Sequence, residues 1–414
     1  MKTSSYLYLR LPSALHFPYC SDTVSGCVWV LSEESEDSRP SLLATTSLDG
    51  GLKVHKVSFG GSKASSAEET ERKGFPSTLS RFSYSTIMSR GQIGYVNSPT
   101  AAPSKLTEYR SHSSRDPLAS LVLASDGAEG HVAFAGGHDD VVLAYGINSA
   151  CAVASVYSHR DAVTGLTLIP RTPFDKESAL WLDNSTHVMV SGSWDATVKV
   201  WSASVSSGEA VAIQREPLAE LFDADSSIVC VSAKASPSLG GIVIGAGCAD
   251  GSFCVWNVHS DGVQVVIHNE PARRGSGPCS VVQWVSTGGK LYLFAAFSTG
   301  VVASYSLVDD TLKRVSAVSV GVAVSSLVYV DGFLLIGSSD GALRLIPVRD
   351  GAYFEKPTLW NAVNNKSSPG ISSISVTPYN APSWSSATQT FLCCTGAEDG
   401  SLALFELRKI TDQS

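Results

Sequence analysis

One pattern recurs along this chain and dictates what it can fold into. An apolar run shrinks into small residues, a turn follows, and an alternating strand closes on a large side chain six positions after the turn residue. It is plainest in residues 187–203, HVMVSGSWDATVKVWSA, where Asp195 is the turn residue and Trp201 the closing one. Six further stretches share it, with turn residues Asp49, Asp139, Asp250, Thr299, Asp340 and Asp399 and closing residues His55, Tyr145, Trp256, Tyr305, Ile346 and Phe405. Successive turn residues lie 90, 56, 55, 49, 41 and 59 positions apart. A period of about 40 to 60 residues with two visible strands per copy is what radially repeated sheets produce, so 414 residues read as one repetitive unit rather than several separate domains.

The chemistry of these segments explains why they are strands. Residues 241–247, 291–297 and 333–337 are almost continuously apolar or small, as expected where both faces of a sheet are covered. Towards each turn the side chains dwindle to Gly, Ala, Ser and Thr, which suits strands converging on an axis, and Asp-Gly at 49, 250, 340 and 399 suits a tight hairpin. Only 16% of residues are charged and Gly numbers 35, against the solvated helices of an α-rich chain. No copy can hide both of its own faces, so stability requires neighbours on either side.

The expected fold is therefore all-β, a ring of seven sheets spanning residues 1–414. Two further strands per copy are found, for example PLAELFDAD and SIVCVSAKA after Trp201. The last copy runs out before a fourth strand, and SYLYLRL at residues 5–11 is expected to complete it, closing the ring and removing two sheet edges. Residues 60–116, rich in Ser, Pro and Gly, are expected to form a mobile surface insert, with FSYSTIM at 82–88 as the outer strand of the second blade.

At SGSWDATVKVW, preceded by SHRDAVTGLTLIP, the chain resembles the WD40 family of seven-bladed β-propellers. The resemblance implies a structural network in this blade of His159, Ser191, Asp195 and Trp201. A buried Trp has one donor to place, Ser can both donate and accept, and Asp can fix the tautomer of His. The fourth copy keeps Asp250 and Trp256 without an obvious His, and Thr299 replaces the Asp in the fifth. The succession GGHDDVVLAYGI, SHRDAVTGLTL, SGSWDATVKVWSA and PLAELFDAD is similar, over about residues 40 to 260, to the C-terminal propeller of BEACH-domain proteins of the type called factor associated with neutral sphingomyelinase activation. Those proteins carry a helical BEACH domain ahead of the propeller. None stands in these 414 residues, so the chain is expected either to be part of a longer protein or to meet that domain as a separate partner.

Charge and motifs narrow the function. A net charge of −8 offers no footprint for a phosphate backbone, so nucleic acid is not an expected partner. Nine cysteines form no CxxC pair, read as reduced core thiols, and point with the lack of a signal or membrane-spanning run to a cytoplasmic protein, peripheral to endomembranes if it serves trafficking. Gly337-Ser338-Ser339-Asp340-Gly341 matches GxSxG but sits at the register of the other repeat turns, where a nucleophile elbow would need a strand running into a helix. No HExxH, P-loop or dinucleotide fingerprint occurs, so no catalytic residue, metal or cofactor is expected.

What remains is binding. Residues just before the turn residue should be exposed on one face: His138, Trp194, Ser298, Ser339 and Glu398. Trp194, with His138, Asp140, Arg160 and Asp161 around it, is the expected anchor for a protein partner. Ala272-Arg273-Arg274-Gly275 resembles the paired-arginine loop of phosphoinositide-binding propellers, which makes Arg273 and Arg274 candidates for a membrane lipid contact. The reading is a non-catalytic interaction scaffold of BEACH-type trafficking or lipid signalling, with lipid recognition through the Arg-Arg-Gly loop as the alternative.

Overall fold

In the computed structural model, residues 5–10, 17–18, 22–30, 42–59, 85–89, 92–96, 103–125, 131–157, 159–171, 185–206, 208–259, 264–271, 275, 277–308, 310–360, 369–379 and 388–411 are described. Among them lie seven antiparallel sheets and a single helical turn, the 3-10 segment Pro237–Leu239. Blade I comprises Val24–Val30, Leu42–Ser47, Gly51–Phe59 and Pro103–Ser113; blade II, Leu118–Ser125, His131–Gly137, Val141–Gly146 and Cys151–Tyr157. Blade III comprises Val163–Pro170, His187–Ser193 and Val198–Ser206, with Ala210–Ile213 and Ala219–Leu221 sharing the outer edge. Blade IV comprises Ile228–Ser236, Gly241–Cys248, Phe253–His259 and Gln264–Glu270; blade V, Cys279–Thr287, Lys290–Phe297, Val301–Val308 and Thr311–Ser319. Blade VI comprises Val324–Val330, Phe333–Ser338 and Leu343–Arg349, with Tyr353–Phe354 and Thr358–Trp360 outside; blade VII is built on Ile371–Tyr379, Thr388–Ala397 and Ser401–Thr411.

The core lies between the blades rather than inside any one of them. Seven clusters of buried side chains each join two neighbours. Trp201 and Met189 of blade III pack with Phe134 and Val142 of blade II, and Trp256 of blade IV with Val188 and Val200 of blade III. Val24, Trp29 and Leu43 of blade I pack with Leu392, Cys394 and Leu404 of blade VII, so the first and last repeats meet as the others do. Burying one such side chain is worth roughly 1.5–3 kcal/mol, and each blade has it on two faces only when flanked on both sides.

The innermost strand of every blade carries one bulge, in which two residues oppose one on the neighbouring strand. The residue left out of register is Ser25, Ala119, Thr164, Val229, Ser280, Ser325 or Ser372. Where it bears a hydroxyl, that group donates to a backbone carbonyl of the next blade: Ser25 to Leu118, Thr164 to Ile228, Ser280 to Val324 and Ser372 to Val24 at 2.5–2.6 Å, and Ser325 to Ile371. Side chains thus link the blades around the axis, including blade VII to blade I.

Two expectations about the ends of the ring are corrected. Among the described residues no sheet is closed by hydrogen bonds, so this is not a propeller closed by an N-terminal strand. Ser5–Arg10 lies alongside Ser401–Thr411, but the same sheet runs on through Ser85–Ser89 to Gln92–Val96 and ends open. A strand added to an outer edge moves that edge outward rather than abolishing it. The stretch 82–88 is likewise not the outer strand of the second blade. Ser85–Ser89 pairs with Ser5–Arg10, and the outer strand of blade II is Cys151–Tyr157. The end of the anticipated insert is regular structure, because Pro103–Ser113 is the outer strand of blade I, while residues 60–84 lie outside the described residues.

Candidate functional site

Each blade folds its middle hairpin in the same way. The residue before the turn residue donates its N–H to the carbonyl of the segment leading into the same blade: Leu48 to Thr23, His138 to Pro117, Trp194 to Ala162, Ala249 to Ser227, Ser298 to Pro278, Ser339 to Ala323 and Glu398 to Gly370, at 2.9–3.1 Å. Seven turns and seven incoming segments are thereby laid on one face of the ring. Asp49, Asp195, Asp250, Asp340 and Asp399 each accept the N–H two residues ahead at 2.9–3.2 Å, which explains the preference for Asp at the turn. The next residue has positive φ in all seven blades, and where five use Gly, blades II and III place Asp140 (φ 64) and Ala196 (φ 63).

Blade III holds its turn by a relay of buried hydrogen bonds. The Trp201 Nε1–H donates to Ser191 Oγ at 2.9 Å; Ser191 Oγ pairs with His159 Nε2 at 2.8 Å; His159 Nδ1 meets Asp195 Oδ2 at 3.0 Å. Because Asp195 Oδ2 also accepts the Arg160 N–H, the His159 proton belongs on Nδ1, which leaves Nε2 to accept from Ser191. Burial holds the His159 pKa below its ordinary value against the opposing pull of Asp195, so the ring is neutral and the relay consistent. Burial works against the Asp195 carboxylate too, but hydrogen bonds from Thr197 and the Arg160 N–H, with His159 beside it, hold it below the usual carboxylate range.

Other blades reach the same end with different chemistry. In blade IV the Trp256 Nε1–H donates to Asp223 Oδ2 at 2.8 Å, so an acid in the incoming segment replaces the Ser and His. In blade I, Thr45 Oγ1 pairs with His55 Nε2 at 3.0 Å, His55 standing where blade III has Trp201. In blade VI the buried Arg344 clamps Asp340 with bonds of 2.9 and 2.6 Å and also bonds Ser338, and these hydrogen bonds hold Asp340 well below the usual carboxylate range. Asp223 and Arg344 were not among the sequence candidates, although an Arg inside the apolar strand LRLIPV is a readable signal.

The partner candidates fall together between blades II and III. Trp194 is 44% exposed, and its ring lies 5.1 Å from that of His138, centroid to centroid, at 48°. Its carbonyl accepts the Ser227 hydroxyl of blade IV at 3.0 Å, while the Asp140 carbonyl accepts the His159 N–H at 3.4 Å. Asp161 and Arg160 are exposed beside them. Partial burial, and then the carboxylates of Asp161, Asp139 and Asp195, raise the Asp140 pKa. Arg273 and Arg274 lie outside the described residues.

The GxSxG segment runs from Phe333–Ser338 through the turn into Leu343–Arg349, strand to strand. Among the described residues no group of three or more His, Cys, Asp or Glu could hold a metal ion, and no helix is long and apolar enough to cross a membrane. The eight described cysteines are free thiols, and burial pushes Cys248 up to about 11 and Cys254 up to about 12, so neither is a reactive thiolate.

No protein-family model matches the chain. In structure it is similar to the WD40 beta propeller domain of Doa1, at 13% sequence identity and a TM-score of 0.54, over 98% of this chain and 97% of that one. It is also similar to the computationally designed Ika8 protein, at 13% identity and a TM-score of 0.48, over 93% and 96% of the two chains. The likeness to the Doa1 domain over nearly the whole of both chains shows the fold, a β-propeller, here of seven blades.

Proposed function

We propose that this propeller is a non-catalytic scaffold for protein interaction, with its docking surface on the turn face around Trp194. The carrying observation is that a large aromatic side chain, 44% exposed and resting on His138, stands on this face instead of in the inter-blade core. A half-desolvated Trp at the middle of a surface gains more from a partner than from water. His159, Ser191, Asp195 and Trp201 have a structural part in this reading: they hold the turn on which Trp194 stands. The test is affinity capture with the wild-type chain beside Trp194→Ala, with thermal melts verifying that both are folded. Loss of captured proteins with an unchanged melt supports the reading, and identical capture by both proteins refutes it.

The finer assignment, a BEACH-type trafficking or lipid-signalling scaffold, is supported by the motif succession over about residues 40 to 260. It predicts that a separately supplied BEACH domain co-elutes with this chain. The alternative, phosphoinositide binding, is supported by the sequence Ala272-Arg273-Arg274-Gly275 and is checked by vesicle flotation with Arg273→Thr and Arg274→Thr combined.

A further inference from the structure

On the face that carries Trp194 the seven turns have a one-sided charge, while the incoming segments beside them carry both signs, as in Arg115-Asp116 and Arg160-Asp161. None of the seven turns contains Lys or Arg, and every one except Ser298-Thr299-Gly300 contributes a carboxylate. Most of those turn carboxylates serve their own hairpins, and in blades II and III three acids, Asp139, Asp140 and Asp161, stand in the turn and incoming segments that meet beside Trp194. The Asp140 carbonyl accepts the His159 N–H at 3.4 Å, which brings the blade II turn against the incoming segment of blade III that carries Arg160 and Asp161, both exposed.

The same sector gathers exposed aromatic side chains. Tyr157, 82% exposed, pairs in register with Val141, the residue after Asp140, at the end of the outer strand of blade II. Phe222, 63% exposed, follows Leu221, which pairs with Val198 at the corresponding end of blade III. Trp194 and His138 are in ring contact across blades II and III, and Tyr157 and Phe222 stand at the turn-side ends of the outer strands of the same two blades. Exposed aromatic side chains lose hydration at little conformational cost when covered, and carboxylates beside them repel an acidic partner and attract a basic one.

Resting on the scaffold reading, we infer that this sector docks a basic segment of a partner protein, an extended stretch with Arg or Lys beside apolar residues. The cationic head lies over the Trp194 ring, flanked by Asp140 and Asp161, and the apolar neighbours cover Tyr157 or Phe222. A guanidinium suits this place best, since it stacks on an indole and still directs its N–H groups to carboxylates at the rim.

The experiment uses the full chain and fluorescent twelve-residue peptides in which Arg and Leu alternate, compared with Lys-Leu and Glu-Leu versions, read by anisotropy at two salt concentrations. Expected is binding of the Arg peptide at least tenfold tighter than of the Glu peptide, weakened severalfold by added salt. Trp194→Ala should weaken it about tenfold or more. Asp140→Asn with Asp161→Asn should weaken it and flatten the salt dependence, and Asn is at ease in the left-handed backbone of position 140. Arg160→Ala should leave binding unchanged or tighten it. Equal affinity for Arg and Glu peptides, or indifference to both Trp194→Ala and the Asp pair in folded variants, overturns the inference. The two readings separate cleanly: proteins captured through Trp194 while the Arg peptide fails to bind refute the basic segment alone, whereas capture indifferent to Trp194 refutes the docking face itself.

Discussion

Ser191 is where a single hydroxyl settles the fate of two buried partners. It accepts from Trp201 and pairs with His159, so Ser191→Ala leaves an indole N–H and an imidazole nitrogen without water or protein to bond. The expected loss is about 2 to 4 kcal/mol of stability, measured by denaturant unfolding, with the fold retained. A loss below about 0.5 kcal/mol would show that the relay contributes nothing of this kind. The repeat spacing singled out only the turn residue Asp195 and the closing residue Trp201, and it was the resemblance carried by SGSWDATVKVW and SHRDAVTGLTLIP that implied Ser191 and His159 as their partners. The partners in other blades follow no repeated offset: Asp223 serves Trp256 from outside the repeat pattern, and Arg344, which clamps Asp340, is marked in the sequence only by its charge within an apolar strand.

Among structural elements, the bulged inner strand links one blade to the next. Its hydroxyl is a short bond across each of five seams, and the two bulge positions without one are Ala119 and Val229. Ser372→Ala, at the seam between the last and first blades, is expected to cost about 1 kcal/mol. Ala119→Ser, which offers Val163 of blade III the hydroxyl its counterparts receive, is expected to add a similar amount. Thermal melts of both variants decide, and no change in either would mean that these bonds merely replace water. The pattern of apolar residue then Ser or Thr in VSG, VTG, CSV, VSS and ISS is visible in the sequence. Its meaning is not, because the acceptor lies in another repeat about 45 to 350 positions away, and only packing identifies it.

For the whole molecule the ring makes local protonation a global event. Burial, and then the nearby Lys53, lower the His55 pKa from 6.5 to about 4, and burial lowers His159 and His187 as well. These histidines are neutral when folded and titrate normally when unfolded, so between pH 6.5 and about 4 the unfolded chain binds more protons and stability falls as pH falls. From His55 alone the loss between pH 7.5 and 5 is about 2 kcal/mol. Because each blade leans on two others, the expectation is one melting transition that shifts down on acidification, and a smaller shift in His55→Phe, which borrows the closing residue type of blade VII. Melts that are flat between pH 7.5 and 5 would contradict the buried neutral His55.

The sequence alone determined the local facts: which segments are strands, where seven hairpins turn, and that no blade could be stable by itself, because periodicity, turn chemistry and apolar content act over a few residues. The tertiary structure decided how the ring is held and what its surface offers. Whether the N-terminal strand closes a sheet, which strand edges blade I, and which exposed aromatics and acids share one sector depend on contacts between distant repeats. Nothing in the linear order of the chain distinguishes one such pairing from another until the blades have packed.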